Sequence, residues 1–447
     1  MEKNNDLKSF GYQQELKRVF GLWQLTAYGL NFMIPIAPAI IFGFVLTTSG
    51  GSVALPYLFA FFGTLFTAMG YAYFIRRYPL AGSVYNYVSK SINLQMGFIA
   101  GWAILLDYIL VPTLTAMSAS AFLHNLLPGL PYEFILLMFI GCTGLLNLAG
   151  ADPLAKLGLS MLIIGEIVIF SGFIVWAYGV HVNHVGVGHL FSEIPFHFKS
   201  FNALTSATSI AMLSYLGFDA ITTLAEEAKS PKKDVPKAIF YSLILGSLTM
   251  FLTGYIGSLV VPDWQQYIHD ENWLNTTLFF VSQRTGGQGF VMFYTVGFVV
   301  AMAVFNVVAT TGASRVLYSI SRDKVIPISS LSYINPKTQV PAVGIILIVL
   351  AQLIVGTIGK IDLIAEVVNF GALFGFLLLN IAYFVHILRF NSTKRSWWQL
   401  PISIIGALLN LWLLSHLAKK ALIIGTLWIL LGIIFFAISR STRKKLR

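Results

Sequence analysis

SYLGFDAITTLAEEAKSPKKDVPKAI, residues 214–239, opens inside an apolar run and closes in a Lys- and Pro-rich loop. Between the two ends stand Gly217, Asp219, Glu226 and Glu227. What such residues mean depends on the solvent the helix meets. The chain of 447 residues is 57% hydrophobic and 11% charged, with a mean hydropathy of +0.77. A soluble domain carries about 25% charged residues, so there is too little polar surface here to cover a soluble globule. The chain reads as a polytopic, all-α membrane protein. In a bilayer, an ionisable group at mid-depth costs about 2.5–3.5 kcal/mol even on the lenient insertion scale, so Asp219 needs a purpose.

A membrane span takes about 20 mostly apolar residues. Twelve such runs are expected, at 21–47, 53–75, 96–122, 134–149, 157–178, 203–226, 238–261, 288–314, 341–358, 362–388, 400–416 and 420–438. With this topology, 24 of the 29 Lys and Arg fall on one side. Only Lys199, Arg284, Lys360, Lys419 and Lys420 fall on the other. Positive-inside asymmetry of this size places both termini in the cytoplasm of a bacterial-type inner membrane. The net charge of +11 is then a topology device facing anionic lipid, not a nucleic-acid surface. Residues 1–19 are polar and the first apolar run is too long for a signal peptide, so that run is expected to be retained. Cys142 is the only cysteine, which excludes an internal disulfide. Its setting, EFILLMFIGCTGLLNL, suggests packing. Four of the eight histidines fall in one loop, 179–198, but without metal-ligand spacing. There is no GxSxG, no P-loop and no paired Cys, so no enzyme chemistry, metal or cofactor is expected.

Irregular backbone within a span must line a cavity or be covered by protein. Two spans carry breakers. The first, GLWQLTAYGLNFMIPIAPAIIFG, holds Gly29, Asn31, Pro35 and Pro38 near its centre. The sixth holds Ser214, Gly217 and Asp219. Either break alone is as easily a packing device, because Gly and Pro are common in membrane helices. Two breaks that open successive five-span blocks, however, point to a binding site near mid-membrane. Asp107 and Glu166 are further carboxylates well inside spans, whereas Glu366 stands near a span end. Glu226 and Glu227 end the sixth span beside Lys229, Lys232 and Lys233, where pairing that closes the loop is the simpler reading.

At these residues the sequence resembles the amino acid–polyamine–organocation permeases. The likeness is carried by residues 214–239, by RRYPLAGSVYNYVSKSIN (76–93) and by ASRVLYSISRDKVIP (313–327). Within that family GFIAGWAILLDYILVP (97–112), SKSIN (89–93), LGFDAITTLAEE (216–227) and VNFGALFGFLLLN (368–380) resemble the branch of bacterial putrescine importers. The resemblance implies a five-plus-five inverted repeat of the LeuT-like fold. A cytoplasmic segment 1–20 would precede repeats at 21–178 and 203–388, with two trailing spans at 397–438 and a basic tail at 439–447. It implies a site between the broken first and sixth spans, flanked by the third, eighth and tenth. It also implies alternating access, with the first, second, sixth and seventh spans rocking against the rest. The transported partner would be a small amine or amino acid, with protons as the coupling ion.

Carried over residue by residue, the unwound stretch of the sixth span matches Ser214, Tyr215, Leu216 and Gly217, and Asp219 matches a position acidic in some antiporters. Tyr108, beside Asp107, matches an aromatic position that can hold an ammonium by cation–π attraction. Asn306 of the eighth span would face the first span. Two departures matter. Where amino-acid carriers have a GxG element for the substrate carboxylate, this chain has GLNFMIPIAP, with Met33 and Pro35 at the glycine positions. Proline has no N–H to offer, which favours a substrate without a carboxylate and makes Asp107 and Asp219 its ammonium partners. In the fifth span some proton-coupled members carry a lysine; the approximate match here is Gly165 or Glu166, and Glu166 becomes the candidate proton carrier. Its alternative is a polar contact to a neighbouring helix. The expected function is a secondary active importer of a putrescine-like amine or an amino acid. An exchanger or uniporter of the same family is the nearer alternative, and a channel or sensor the more distant one.

Overall fold

The computed structural model describes residues 18–33, 36–79, 83–149, 151–322, 329–335, 338, 340–390 and 397–445. They form a bundle of helices, and the only extended pairing among them is an isolated bridge from Phe20 to Ala228. Helix α1 runs Leu22–Met33 and α2 runs Pro38–Ser49, bent by 56° to each other. Pro38 opens α2, where its missing N–H would have no partner anyway. Pro35 lies outside the described residues. Next come α3 (Ala54–Arg77), the short α4 (Ser83–Ser91), α5 (Leu94–Leu126), α6 (Tyr132–Ala149) and α7 (Ala151–His181). Asn93 caps α5 by accepting the Met96 N–H at 2.9 Å.

The sixth span is built in three pieces. Helix α8 (Phe201–Ala211) is capped by Ser200, passes into a 3₁₀ turn at Met212–Tyr215, and resumes as a second 3₁₀ stretch at Phe218–Glu227. Helix α9 (Pro231–Val260) follows, then the short α10 (Glu271–Asn275). Helix α11 (Thr277–Arg322) is interrupted at Gly287, just before the expected eighth span. Helices α12 (Ala342–Ile358), α13 (Ile361–Phe390), α14 (Gln399–Ser415) and α15 (Lys419–Lys445) complete the chain.

Eight helical segments among the described residues are long and apolar enough to cross a membrane, or nine with the bent α1–α2 pair as one span. Gly165–His181, Ala342–Ile358 and Gln399–Ser415 are shorter apolar helices. The chain is a polytopic helical membrane protein. Its outer surface shows large apolar side chains such as Leu145, Ile174 and Ile358, as lipid contact demands. Cys142 is exposed on α6; the expected packing role gives way to a lipid-facing one, because the buried face of α6 is made by Ile135, Leu136, Ile140 and Thr143. Of the apolar window in Phe201–Glu227, 83% is buried, against 22% in Lys419–Ile438. The broken sixth span is therefore the centre of the bundle and the last span its rim.

Many buried hydroxyls in the spans donate to carbonyls one turn back, as at Thr208 to Leu204 O (2.8 Å) and Ser258 to Gly254 O (2.7 Å). Small residues let helices approach closely. A Cβ on Gly375 of α13 would meet the Ile104 side chain of α5 at 2.7 Å.

Candidate functional site

The two breaks meet. Gly217 has φ +100°, a left-handed conformation that glycine adopts without steric cost. A Cβ on it would collide with the carbonyl group of Phe32, near the end of α1. The residue that unwinds the sixth span is thus also the one that lets the first span touch it.

Beside this contact lies a cavity of about 60 Å3, room for a few water-sized groups. Phe32, Met33, Ala37 and Ile40 line it from the first span; Asp107, Tyr108, Val111, Leu114 and Thr115 from α5. Leu213, Leu216, Gly217, Asp219 and Ala220 line it from the sixth span; Phe305, Ala309 and Gly312 from α11. The wall is mostly apolar, with two carboxylates and no basic residue among these side chains. Asp219 is buried, and the Tyr71 hydroxyl of α3 donates to its Oδ2 at 3.1 Å. Tyr71 is itself wedged edge-on against Phe218 and Phe376. Asp107 is half-buried and has no hydrogen-bond or ion-pair partner among the described residues. Three aromatic rings, Phe32, Tyr108 and Phe305, share the same space, with Phe32 and Phe305 in an edge contact at 6.5 Å. An apolar pocket with rings and two carboxylates can take an organic cation, because both the ring faces and the carboxylates attract it.

Of the residues singled out from the sequence, Met33, Asp107, Tyr108, Leu216, Gly217 and Asp219 line this cavity. Ser214 and Tyr215 are buried and turn toward α3 instead. The Tyr215 hydroxyl donates to Tyr57 O at 2.7 Å, and Ser214 Oγ lies 3.3 Å from the Tyr57 hydroxyl. Asn306 does not face the first span as expected. Its Nδ2 donates to Pro112 O (2.6 Å), Thr115 Oγ1 (3.3 Å) and Gln352 Oε1 (2.9 Å), so it ties α11 to α5 and α12. Asn31 and Glu166 are half-buried and off the cavity wall. Glu166 lies one turn before Ile169, on the face of α7 that continues through the buried Phe173 and Trp176. Glu227 meets the N-terminal segment through its backbone: its carbonyl accepts from Val19 N (2.9 Å) and Phe20 N (3.1 Å), and Lys229 N donates to Phe20 O (2.8 Å). Glu226 is half-buried beside it. Glu366 accepts the Ala418 N–H, which closes the turn before α15. The tenth span, α13, contributes nothing to the cavity wall.

Sequence reasoning missed Phe32, Phe305 and Tyr71. The two phenylalanines stand next to Met33 and Asn306, and helix phase decides which neighbour faces inward. Nothing in the sequence marks Tyr71, because its role comes from α3 crossing the sixth span.

The profile of the amino acid permease family matches residues 20–439. The chain belongs to the amino acid permease family. It is therefore related to transporters rather than enzymes. The permease is 28% identical over 432 residues to the low-affinity putrescine importer PlaP of Escherichia coli K12, covering 95% of this chain and 94% of that one. It is 27% identical over 456 residues to the branched-chain amino acid permease BcaP of Bacillus subtilis, covering 97% and 95%. It is 25% identical over 450 residues to the methylthioribose transporter of the same organism, covering 96% and 94%.

Proposed function

We propose that the permease imports a small organic amine of the putrescine class by alternating access, driven by protons. The observation that carries this reading is the cavity wall, where Asp107 and Asp219 stand with three aromatic rings and without a basic residue. A zwitterionic amino acid needs a site for its carboxylate. The position where amino-acid carriers have a glycine is Met33 here, which lines the cavity, and no basic side chain on the wall offers a carboxylate a partner. The name of the putrescine importer relative agrees with this charge argument. A diamine would place one ammonium against Asp107 and its neighbouring ring Tyr108, and its other end toward Asp219.

The nine long or paired spans and three shorter apolar helices support a twelve-span topology, with α1–α7 and α8–α13 as two inverted repeats and α14–α15 trailing. Both breaks then fall at matching places. The charge asymmetry supports cytoplasmic termini. Glu166 is our candidate for the coupling proton, because an ionisable carboxyl on an apolar span is carried through a change of access more easily neutral than charged.

A second reading is favoured by the apolar majority of the wall, Val111, Leu114, Leu213 and Leu216 among it, together with the branched-chain amino acid relative. On it the permease exchanges zwitterionic amino acids. Uptake of labelled putrescine into proteoliposomes, with and without an inward proton gradient, separates the two. Saturable, gradient-stimulated uptake that only amines inhibit supports the first. Absence of putrescine uptake, with exchange of leucine or valine, replaces it by the second.

A further inference from the structure

The segment Val368–Asn380, VNFGALFGFLLLN, lies on α13 and gives the cavity no lining residue. Its first asparagine nevertheless reaches the sixth span. Asn369 is fully buried, and its Nδ2 donates to Ser209 O at 2.8 Å and to Ile210 O at 3.2 Å. Both carbonyls belong to the last turn of α8, just before the chain tightens into the 3₁₀ turn at Met212–Tyr215. The last carbonyls of an α-helix lack their usual amide partners. In an apolar interior such groups need another donor; Ile210 O also accepts the Met212 N–H. The same turn is also held by Ser209 Oγ, which donates to Leu413 O of α14 at 2.8 Å. The cavity wall begins three residues after Ile210, at Leu213.

The other half of the Asn369 amide sharpens the point. Its Oδ1 is buried and has no hydrogen-bond partner among the described residues. A leucine would fill the site without that unsatisfied oxygen, so as mere packing the asparagine is the poorer residue. What it alone supplies is the pair of N–H bonds to the break.

We propose that Asn369 is a positioning residue for the substrate: its amide caps α8 at the break and so fixes how Leu213 to Asp219 face the cavity. This rests on the cavity being the substrate site. Asn380 provides the internal control. It stands three turns further along α13, is equally buried, also leaves its Oδ1 unpartnered, and bonds Thr67 Oγ1 of α3 at 3.1 Å rather than the break.

The test compares Asn369→Leu, Asn369→Thr and Asn380→Leu in the full-length protein. Hydrogen exchange of the substrate-free protein is followed in peptides covering 205–220, and putrescine uptake is followed for KM and maximal rate. Asn369→Leu should speed exchange across 209–217 and raise KM about tenfold, with a smaller change in maximal rate. Asn369→Thr, which keeps a hydroxyl donor, should fall between it and the parent. Asn380→Leu should leave both readouts at parental values. If Asn369→Leu does not yield folded protein, the threonine variant is compared with Asn380→Leu on the same two readouts. Unchanged exchange at 209–217 overturns the proposal, and so does faster exchange with an unchanged KM. In the latter case Asp107→Asn decides what failed. A parental KM there means the cavity is not the substrate site; a raised KM means that Asn369 alone was misread.

Discussion

At the scale of single residues, charge inside an apolar bundle is the strongest signal. Asp107 makes no hydrogen bond or ion pair among the described residues, yet it sits on the cavity wall. A carboxylate in that position is a standing cost to the fold and a gain when a cation arrives. Asp107→Asn should therefore leave the folded protein as stable as the parent or more so. It should weaken amine uptake by about 10- to 100-fold in KM, the range of one charge-assisted hydrogen bond. Melting curves and uptake on the same preparation check both halves. Asp219 differs because Tyr71 already holds it. Tyr71→Phe removes the hydroxyl that donates to Asp219 and keeps the ring packing, so a several-fold rise in KM is expected, smaller than that of Asp107→Asn. An equal or larger effect would mean that Tyr71 does more than orient the carboxylate. Glu166 lies off the cavity wall and is the proposed proton carrier. Glu166→Gln should abolish stimulation by an inward proton gradient while sparing exchange of labelled for unlabelled putrescine. An undiminished gradient effect removes Glu166 from the coupling mechanism.

At the scale of elements, the contact between the first and sixth spans depends on one atom being absent. Gly217→Ala imposes a left-handed conformation on an L residue, at about 1–2 kcal/mol, and drives a methyl into the Phe32 carbonyl. The two spans must then separate, so both the melting temperature and uptake should fall. Uptake at parental level would show that the breaks need not touch. Elsewhere, elements are joined by side chains with no bearing on the cavity. Trp102 of α5 and Trp428 of α15 stack at 4.8 Å and exchange indole N–H bonds to each other's carbonyls, at 2.9 and 2.8 Å. Trp428→Phe should lower the melting temperature modestly and leave KM unchanged, because α15 is at the rim.

At the scale of the whole molecule, the N-terminal segment bonds to the loop after the sixth span through Val19, Phe20, Glu227 and Lys229. These two regions must lie on one face of the membrane. The basic residues of residues 229–237 and of the C-terminal end fall on that same face in the proposed topology. Reporter domains fused to either terminus should both report the cytoplasm. Opposite locations would break the even-span topology.

The sequence by itself determined the solvent and the rough plan. The scarcity of charge made the chain a membrane protein, and apolar runs placed several helices within a few residues, such as 53–75 for α3 and 362–388 for α13, although α7 begins at Ala151 rather than 157 and α9 at Pro231 rather than 238. These features were legible because hydropathy and backbone breakers act locally: a run of apolar residues must be buried or lipid-facing, and glycine and proline weaken a helix where they stand, although α5 runs on through Pro112. Asp107 and Asp219 were legible for the same reason, as charged groups that an apolar span does not carry idly, whereas Tyr108 came from the family resemblance. The tertiary structure decided which neighbours face the cavity. Ser214 and Tyr215 turn to α3, Asn306 turns to α5 and α12, and Tyr71 and Asn369 come in from other helices to hold Asp219 and the break. Such partners are set by the rotation and crossing of helices far apart in the chain, and no single segment encodes that geometry.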